Sequence, residues 1–369
     1  MEHAKRGYLR MILWAAILMA VVTCGCTTLG MPAPSSSDKT AVASTAATLE
    51  TPIVREYEHR TSAQLKQFVR FAQCQFPIES DTSSIDLPIA KDPEELMADI
   101  RQCITVAATE KVDVLIFPEL ALQLPTKERL TMLEELKKAA AQQNMIIIGG
   151  SFYDENRFAC VPIVGPDWIE FGHKLRPSRY ECSTVCGKGM TPGPAIPVVH
   201  TDYGSFVILT CVDLISDEAQ YVARRLATQR RIHTVINNCW NPSSLEFLIE
   251  ANSIARRHPV FVQVTNTSNS AGFGHTSLLA NLGDRSYSPN SHSDLLALLP
   301  LELVQRDETG KPTKRLLPYD CVVADIGMTP RAMLLYELNL LLPSVPAITN
   351  APDQGYPPVR DLKIITFDK

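Results

Sequence analysis

No sign of charge dominates this chain: 35 Lys and Arg stand against 40 Asp and Glu, a formal net charge of -5 over 369 residues. A nucleic-acid-binding domain calls for clustered cations on a basic face, and this balance offers no such footprint. Zinc-type ligation is missing too. Cys182 and Cys186 are close in sequence, but no second ligand pair with zinc-like spacing accompanies them, which speaks against a metal; whether the two cysteines bridge is left open by the sequence. There is no internal repeat, and beyond the first 26 residues no helical run suits a membrane span. What is present is ordinary for a folded enzyme-sized protein: 45% apolar and 20% charged residues, with a length that fits one large α/β unit. Most of the cysteines after the leader (Cys74, Cys103, Cys160, Cys211, Cys239 and Cys321 among them) sit in apolar runs, where a thiol behaves as a small hydrophobe.

The N-terminus is informative. Lys5, Arg6 and Arg10 precede an apolar run over 11–23, which ends at Cys24-Gly25-Cys26. Basic residues followed by about a dozen apolar ones form an export signal, too short for a comfortable span of roughly 20 residues. The segment resembles a bacterial lipoprotein signal, which implies that a cysteine is lipidated and becomes the mature N-terminus. Cys26 follows the small Gly25 and is favoured; Thr23 stands where Leu is usual, so Cys24 is the alternative. A cleaved secretory signal or a short uncleaved anchor is the plainer reading. Residues 1–26 are thus expected to direct export to the cell envelope, with a membrane attachment through lipid. Residues 27–65, opening with Met31-Pro32-Ala33-Pro34-Ser35-Ser36-Ser37, lack apolar periodicity and read as a flexible tether.

Residues 66–342 alternate strand and helix. Residues 67–76 are β-rich, and 92–110 place Leu96, Ile100, Ile104 and Ala107 at helical spacing behind Asp92 and Pro93. The runs 112–117, 145–149 and 205–210 are short and continuously apolar, as expected of strands buried on both faces. Helices are expected over 125–143, 216–231, 245–257 and 329–341, and strands over 158–164, 168–175, 196–200, 233–237 and 259–266. Two alternating β/α stretches separated by meanders suggest two packed sheets with helices outside. The Pro-rich tail 343–369 is expected to wrap a surface or a partner subunit.

Three polar residues close buried strands, where α/β proteins place their sites. Glu119 ends VDVLIFPE, Lys174 follows the strand through Phe171, and Cys211 ends FVILTC. Each alone has a plain explanation: a helix-start acid, a strand-end lysine, a core thiol. In order they resemble the nitrilase superfamily, the carbon–nitrogen hydrolases. The matching stretches are FPE at 117–119, KLRPSRYE at 174–181 and TCVDL at 210–214. Gly189-Met190-Thr191-Pro192-Gly193, Asn238-Cys239-Trp240, Ala255-Arg256-Arg257 and Gly274-His275-Thr276-Ser277 fall in sequence around them, so that the likeness spans roughly 67–330.

The resemblance implies a four-layer α-β-β-α sandwich and hydrolysis of a non-peptide carbon–nitrogen bond in a small amide or ureido compound. In it Glu119 is the base, Cys211 the nucleophile that forms a thioester, and Lys174 the stabiliser of the oxyanion, with the Val212 N–H beside it. Glu181, seven residues after Lys174, orients the lysine and substrate. Asn238 and Trp240 are candidates for the pocket wall, no cofactor is implied, and a homodimer or higher homo-oligomer is expected. A thiol at its resting pKa is only a few per cent thiolate at neutral pH, so a base beside Cys211 makes chemical sense. After Cys211 the chain departs from the family pattern, with Val212 and Ile215-Ser216-Asp217-Glu218 where an aromatic and a Phe-Pro-Glu-like stretch are frequent. Substrate therefore does not carry over from a well-known branch. Acyl transfer to an amine, nitrile hydrolysis, and a catalytically inactive binding protein on the same fold are the competing readings.

Overall fold

The computed structural model describes residues 53–81, 87–182, 189–269, 273–281, 299–341 and 359–367. The leader, with Cys24 and Cys26, the tether up to residue 52, and Cys186 lie outside the described residues.

In chain order the strands of the two main sheets are β1 (Ile53–His59), β2 (Phe68–Gln75), β3 (Val114–Ile116), β4 (Ile146–Ile148), β5 (Phe152–Tyr153), β6 (Ala159–Val164), β7 (Ile169–His173), β8 (Ala195–Thr201), β9 (Gly204–Thr210), β10 (Thr234–Cys239), β11 (Phe261–Asn266), β12 (Ser277–Leu279), β13 (Val322–Asp325), β14 (Ala332–Asn339) and β15 (Val359–Thr366). The helices are α1 (Pro93–Thr109), α2 (Thr126–Gln143), α3 (Asp217–Thr228) and α4 (Ser244–Arg257). Asp92 caps α1 by accepting the Glu95 N–H at 2.9 Å, and Pro93 opens its first turn. Helix α2 stops where Asn144 turns left-handed at φ 51°, and Ser216 caps α3.

One sheet runs β1-β8-β9-β10-β11-β12-β13; the other runs β15-β14-β2-β3-β4-β6-β5, with β7 paired to β6. Side-chain alternation sorts the core into three layers. Along β2, Val69 and Phe71 meet Phe206, Ile208, Ile236 and Phe261 of the opposite sheet. Ala72 and Cys74 instead meet Leu96, Ile100, Met132 and Leu136 of α1 and α2. On the far side, Val207, Leu209, Val235 and Val262 meet Val222, Leu226, Phe247 and Ala251 of α3 and α4. This is the expected α-β-β-α sandwich, and burial on both faces is why its strands read as unbroken apolar runs. Gln73 ties the sheets together by donating to Val264 O at 3.0 Å and Thr265 Oγ1 at 2.9 Å, while Tyr336 Oη donates to its Oε1 at 2.8 Å.

Three expectations are corrected. Residues 53–59, assigned to the tether, form β1, paired in parallel with β8 over Ile53–His59. The helix expected over 329–341 is strand β14, flanked by β2 and β15. The tail assigned to a surface or partner instead adds β15 to the chain's own sheet, and Val359 enters the inter-sheet core.

Candidate active site

The site lies where connections from both sheets meet. Glu119 sits three residues past β3, in a turn whose backbone packs tightly on the Gly149-Gly150-Ser151 segment after β4. A Cβ on Gly150 would come within 2.3 Å of the Pro118 carbonyl oxygen, so only glycine fits there. Ser151 Oγ accepts the Leu120 N–H at 3.1 Å. The second sheet reaches across: the Glu119 N–H donates to Cys239 O at 3.2 Å, and the Trp240 N–H donates to Glu119 Oε2 at 2.9 Å.

Lys174 follows β7 directly. Its ammonium donates to Glu119 Oε1 at 2.7 Å and to Glu181 Oε2 at 2.6 Å, and all three side chains are buried, at 1–3% exposure. Glu181 is fixed by two further donors, Tyr153 Oη at 2.6 Å and the Ser178 N–H at 2.7 Å. Gly193 closes over this region, its N–H donating to Lys174 O at 2.8 Å.

Cys211 follows β9 directly and opens a 3-10 helix, Cys211–Ile215, at φ 49°. That left-handed conformation is unfavourable for a side chain with a Cβ, and such strain concentrates at functional sites. Asn237 Nδ2 holds the Cys211 carbonyl at 3.1 Å. Val212 follows in the first turn of the 3-10 helix, where N–H groups lack helical partners. Asp213, 1% exposed, accepts N–H bonds from Leu175 at 3.1 Å, Arg176 at 2.9 Å and Thr210 at 3.2 Å. One carboxylate thereby braces the lysine segment against the nucleophile turn.

The electrostatics follow from burial and from one cation among several acids. Burial raises the Glu119 pKa, and Lys174 offsets this only in part. Burial pulls the Lys174 pKa down, but the charges of Glu119 and Glu181 outweigh it and hold the ammonium well above its ordinary range. Burial likewise opposes ionisation of Glu181, yet Lys174, Ser178 and Tyr153 together bring its pKa below the usual value. Cys211 is pushed up by burial and then by the Glu119 charge, against the pull of Lys174. Its resting form is the thiol. Asp213 is pushed up to about 7, burial outweighing Lys174 and its backbone donors.

Glu119, Lys174 and Glu181 line a cavity of about 210 Å³, counting its open mouth. Tyr153, Tyr180 and Trp240 supply aromatic walls, with Leu120, Pro88 and Ser178 completing them. Trp240 is fixed by donating Nε1–H to Ile78 O at 3.0 Å and by contact with the rings of Tyr180 and Phe273. Cys211 adjoins this cavity only through its contact with Glu119, and Asn238 does not line it. Asn238 is fully buried, its amide donating to Gly149 O of the opposite sheet at 3.3 Å, a structural tie between the layers. Tyr153 carries a part of the site outside the motifs, and Ser178 and Asp213, inside KLRPSRYE and TCVDL, carry parts that the motif reading gave no role. The acid two residues after the nucleophile, positioned to accept the Thr210 N–H at the start of a helical turn, was the one visible signal among them.

The chain belongs to the carbon–nitrogen hydrolase family, whose sequence profile matches residues 70–305, well over half its length. It is an enzyme of the nitrilase superfamily that acts on carbon–nitrogen bonds. No curated protein matches the chain in sequence. Among solved structures, the fold is similar to that of Nit3 from Saccharomyces cerevisiae, a member of branch 10 of the superfamily, at 14% identity and a TM-score of 0.52, covering 80% of this chain and 99% of that one. It is also similar to the amidase from Nesterenkonia sp. AN1. One form of that amidase, carrying the acetamide moiety of fluoroacetamide covalently on its active-site cysteine, aligns at 13% identity and a TM-score of 0.50, covering 74% of this chain and 91% of that one. A cysteine-to-alanine form of it aligns at 11% identity and a TM-score of 0.51, covering 75% and 94%.

Proposed function

We propose that this enzyme hydrolyses a small amide or ureido compound through a thioester on Cys211. The observation that carries the reading is the buried clamp of Lys174 between Glu119 and Glu181, with the Cys211 thiol hydrogen-bonded to Glu119 from a strained turn. Glu119, its pKa raised, takes the thiol proton as the sulfur bonds to the carbonyl carbon. The carbonyl π electrons pass to oxygen, where the Lys174 ammonium and the Val212 N–H receive the negative charge; such donors are worth about 10²–10³ in rate each. Glu119 then gives its proton to the nitrogen, which leaves as amine or ammonia. Water, deprotonated by Glu119, attacks the thioester, and the sulfur departs as thiol. Because Cys211 rests protonated, its proton is removed at the moment of attack and not beforehand.

The amidase similar in fold supports a nucleophilic cysteine, since its active-site cysteine carries the acetamide moiety of fluoroacetamide covalently. The decisive experiment is a screen of amides, ureido acids and nitriles for ammonia release, run with the wild type and with Cys211→Ala. Release that depends on Cys211 is expected, without an acylated acceptor. Equal turnover in C211A would overturn the assignment, and acylated amine in place of free acid would move it to acyl transfer.

Export and anchoring belong to the same proposal: the leader supports lipidation at Cys26, and Cys26→Ala should release the protein from the membrane fraction. Pairing of two copies, supported by the superfamily resemblance, is checked by the solution mass.

A further inference from the structure

We infer that Asn241 is a further catalytic residue, whose side-chain amide donates to the Cys211 sulfur and stabilises it as negative charge develops there. The inference rests on Cys211 being the nucleophile. Asn241 Nδ2 lies 3.9 Å from Cys211 Sγ, the separation of a weak, long hydrogen bond to sulfur. Catalytic hydrogen bonds of this length tighten as the reacting complex forms.

The amide is oriented and held. Its Oδ1 accepts the Ser243 N–H at 2.6 Å, an Asx-turn contact that settles which end of the amide faces the sulfur. The backbone is clamped by Asn266, itself fully buried: the Asn241 N–H donates to Asn266 Oδ1 at 3.1 Å, and Asn266 Nδ2 donates back to Asn241 O at 2.9 Å. Asn266 Nδ2 also donates to Gly274 O at 2.9 Å, so this clamp extends into the Gly274-His275 turn.

The sulfur has need of a donor. Burial and the Glu119 charge both keep the proton on it, and the nearby cation is already engaged by two carboxylates at 2.7 and 2.6 Å. When Glu119 takes the proton, that carboxylate becomes neutral while the sulfur gains charge. An amide N–H aimed at the sulfur answers that change, and a hydrogen bond to an ionised group is about twice as strong as a neutral one.

Asn241→Asp tests this directly, because it keeps an acceptor for Ser243 while replacing the donor with an anion. The measurement is the rate of Cys211 alkylation by iodoacetamide against pH, followed by peptide mass, together with kcat and KM on whichever amide the wild type turns over. Expected is alkylation slowed at least 5-fold at each pH, and kcat/KM lowered about 10-fold through kcat, with KM within 2-fold. Asn241→Ser is the second variant, since its hydroxyl falls short of the sulfur; it should show a smaller change in the same direction. A folded N241D with the wild-type alkylation profile sinks the inference alone. A wild type whose Cys211 resists alkylation sinks the nucleophile assignment and this inference with it.

Discussion

Lys174 is worth considering as a charge before it is considered as a catalyst. Among the described residues it is the one ammonium facing two carboxylates in a dry setting, and removing one member of such a group leaves the others uncompensated, which typically destabilises by about 3–5 kcal/mol. Lys174→Met should therefore lower turnover at least 10²-fold and also lower the melting temperature; an unchanged rate would remove its oxyanion role. Glu119 sets the pH dependence. It must be ionised to take the thiol proton, and its pKa is raised. The rate should thus climb with pH through a limb above the ordinary carboxylate value near ~4.3, and a limb at that ordinary value would argue against Glu119 as the base. Glu181 runs the other way in stability. Its folded pKa is depressed, so its contribution is present above the unfolded value and is lost as pH falls through the folded one. Melting curves in acid should show this, and Glu181→Gln should abolish that part of the slope.

At the scale of the element, Asp213 is the part that joins two of the three strand ends, the lysine's and the nucleophile's. Its two oxygens serve donors from the lysine segment and from the nucleophile turn, so Asp213→Ala strands three N–H groups, those of Leu175 and Thr210 buried. Stranded buried donors cost about 1–3 kcal/mol each, so the two buried ones predict a loss of about 2–6 kcal/mol in denaturant unfolding and a fall in kcat larger than the change in KM. Stability within about 0.5 kcal/mol of wild type would refute the brace. The strand ends themselves were legible in the sequence because short strands buried on both faces read as continuous apolar runs stopping at a polar residue, as at Glu119 and Cys211. That same burial hid β14. In Ala332–Asn339 nearly every position is buried, so the apolar pattern has no period of two and fits a helix equally well. Tyr153 and Asn241 were invisible for a different reason: each acts through a partner 28 or 30 residues away, and no local pattern announces such a contact. Asn238 was misread because the end of a strand can aim a side chain at the opposite sheet as readily as at a cavity.

Over the described molecule, its first and last strands each close the edge of a sheet, and composition concealed it. Strand β1 reads IVREYEH, alternately half-buried and exposed, and charged enough to look like linker; charged residues are what natural proteins place on sheet edges. Its attachment is specific. Tyr57 Oη donates to Phe171 O at 3.1 Å, Glu56 meets both Arg231 and His200, and Arg60 Nη2 donates to Ser205 Oγ at 2.7 Å. Beneath it lies β8, AIPVVHT, buried along almost its entire length and paired in turn with β9, which Cys211 follows directly. A chain shortened to begin at residue 60 therefore exposes an apolar strand edge, whereas one beginning at residue 50 keeps it covered. The shorter form should melt lower, associate at raised concentration through the uncovered edge, and lose activity along with the register of β9. Matching melting temperatures and solution masses for the two forms would mean that β1 is an ornament on the sheet, and the nucleophile strand would have to be held by its other neighbours alone.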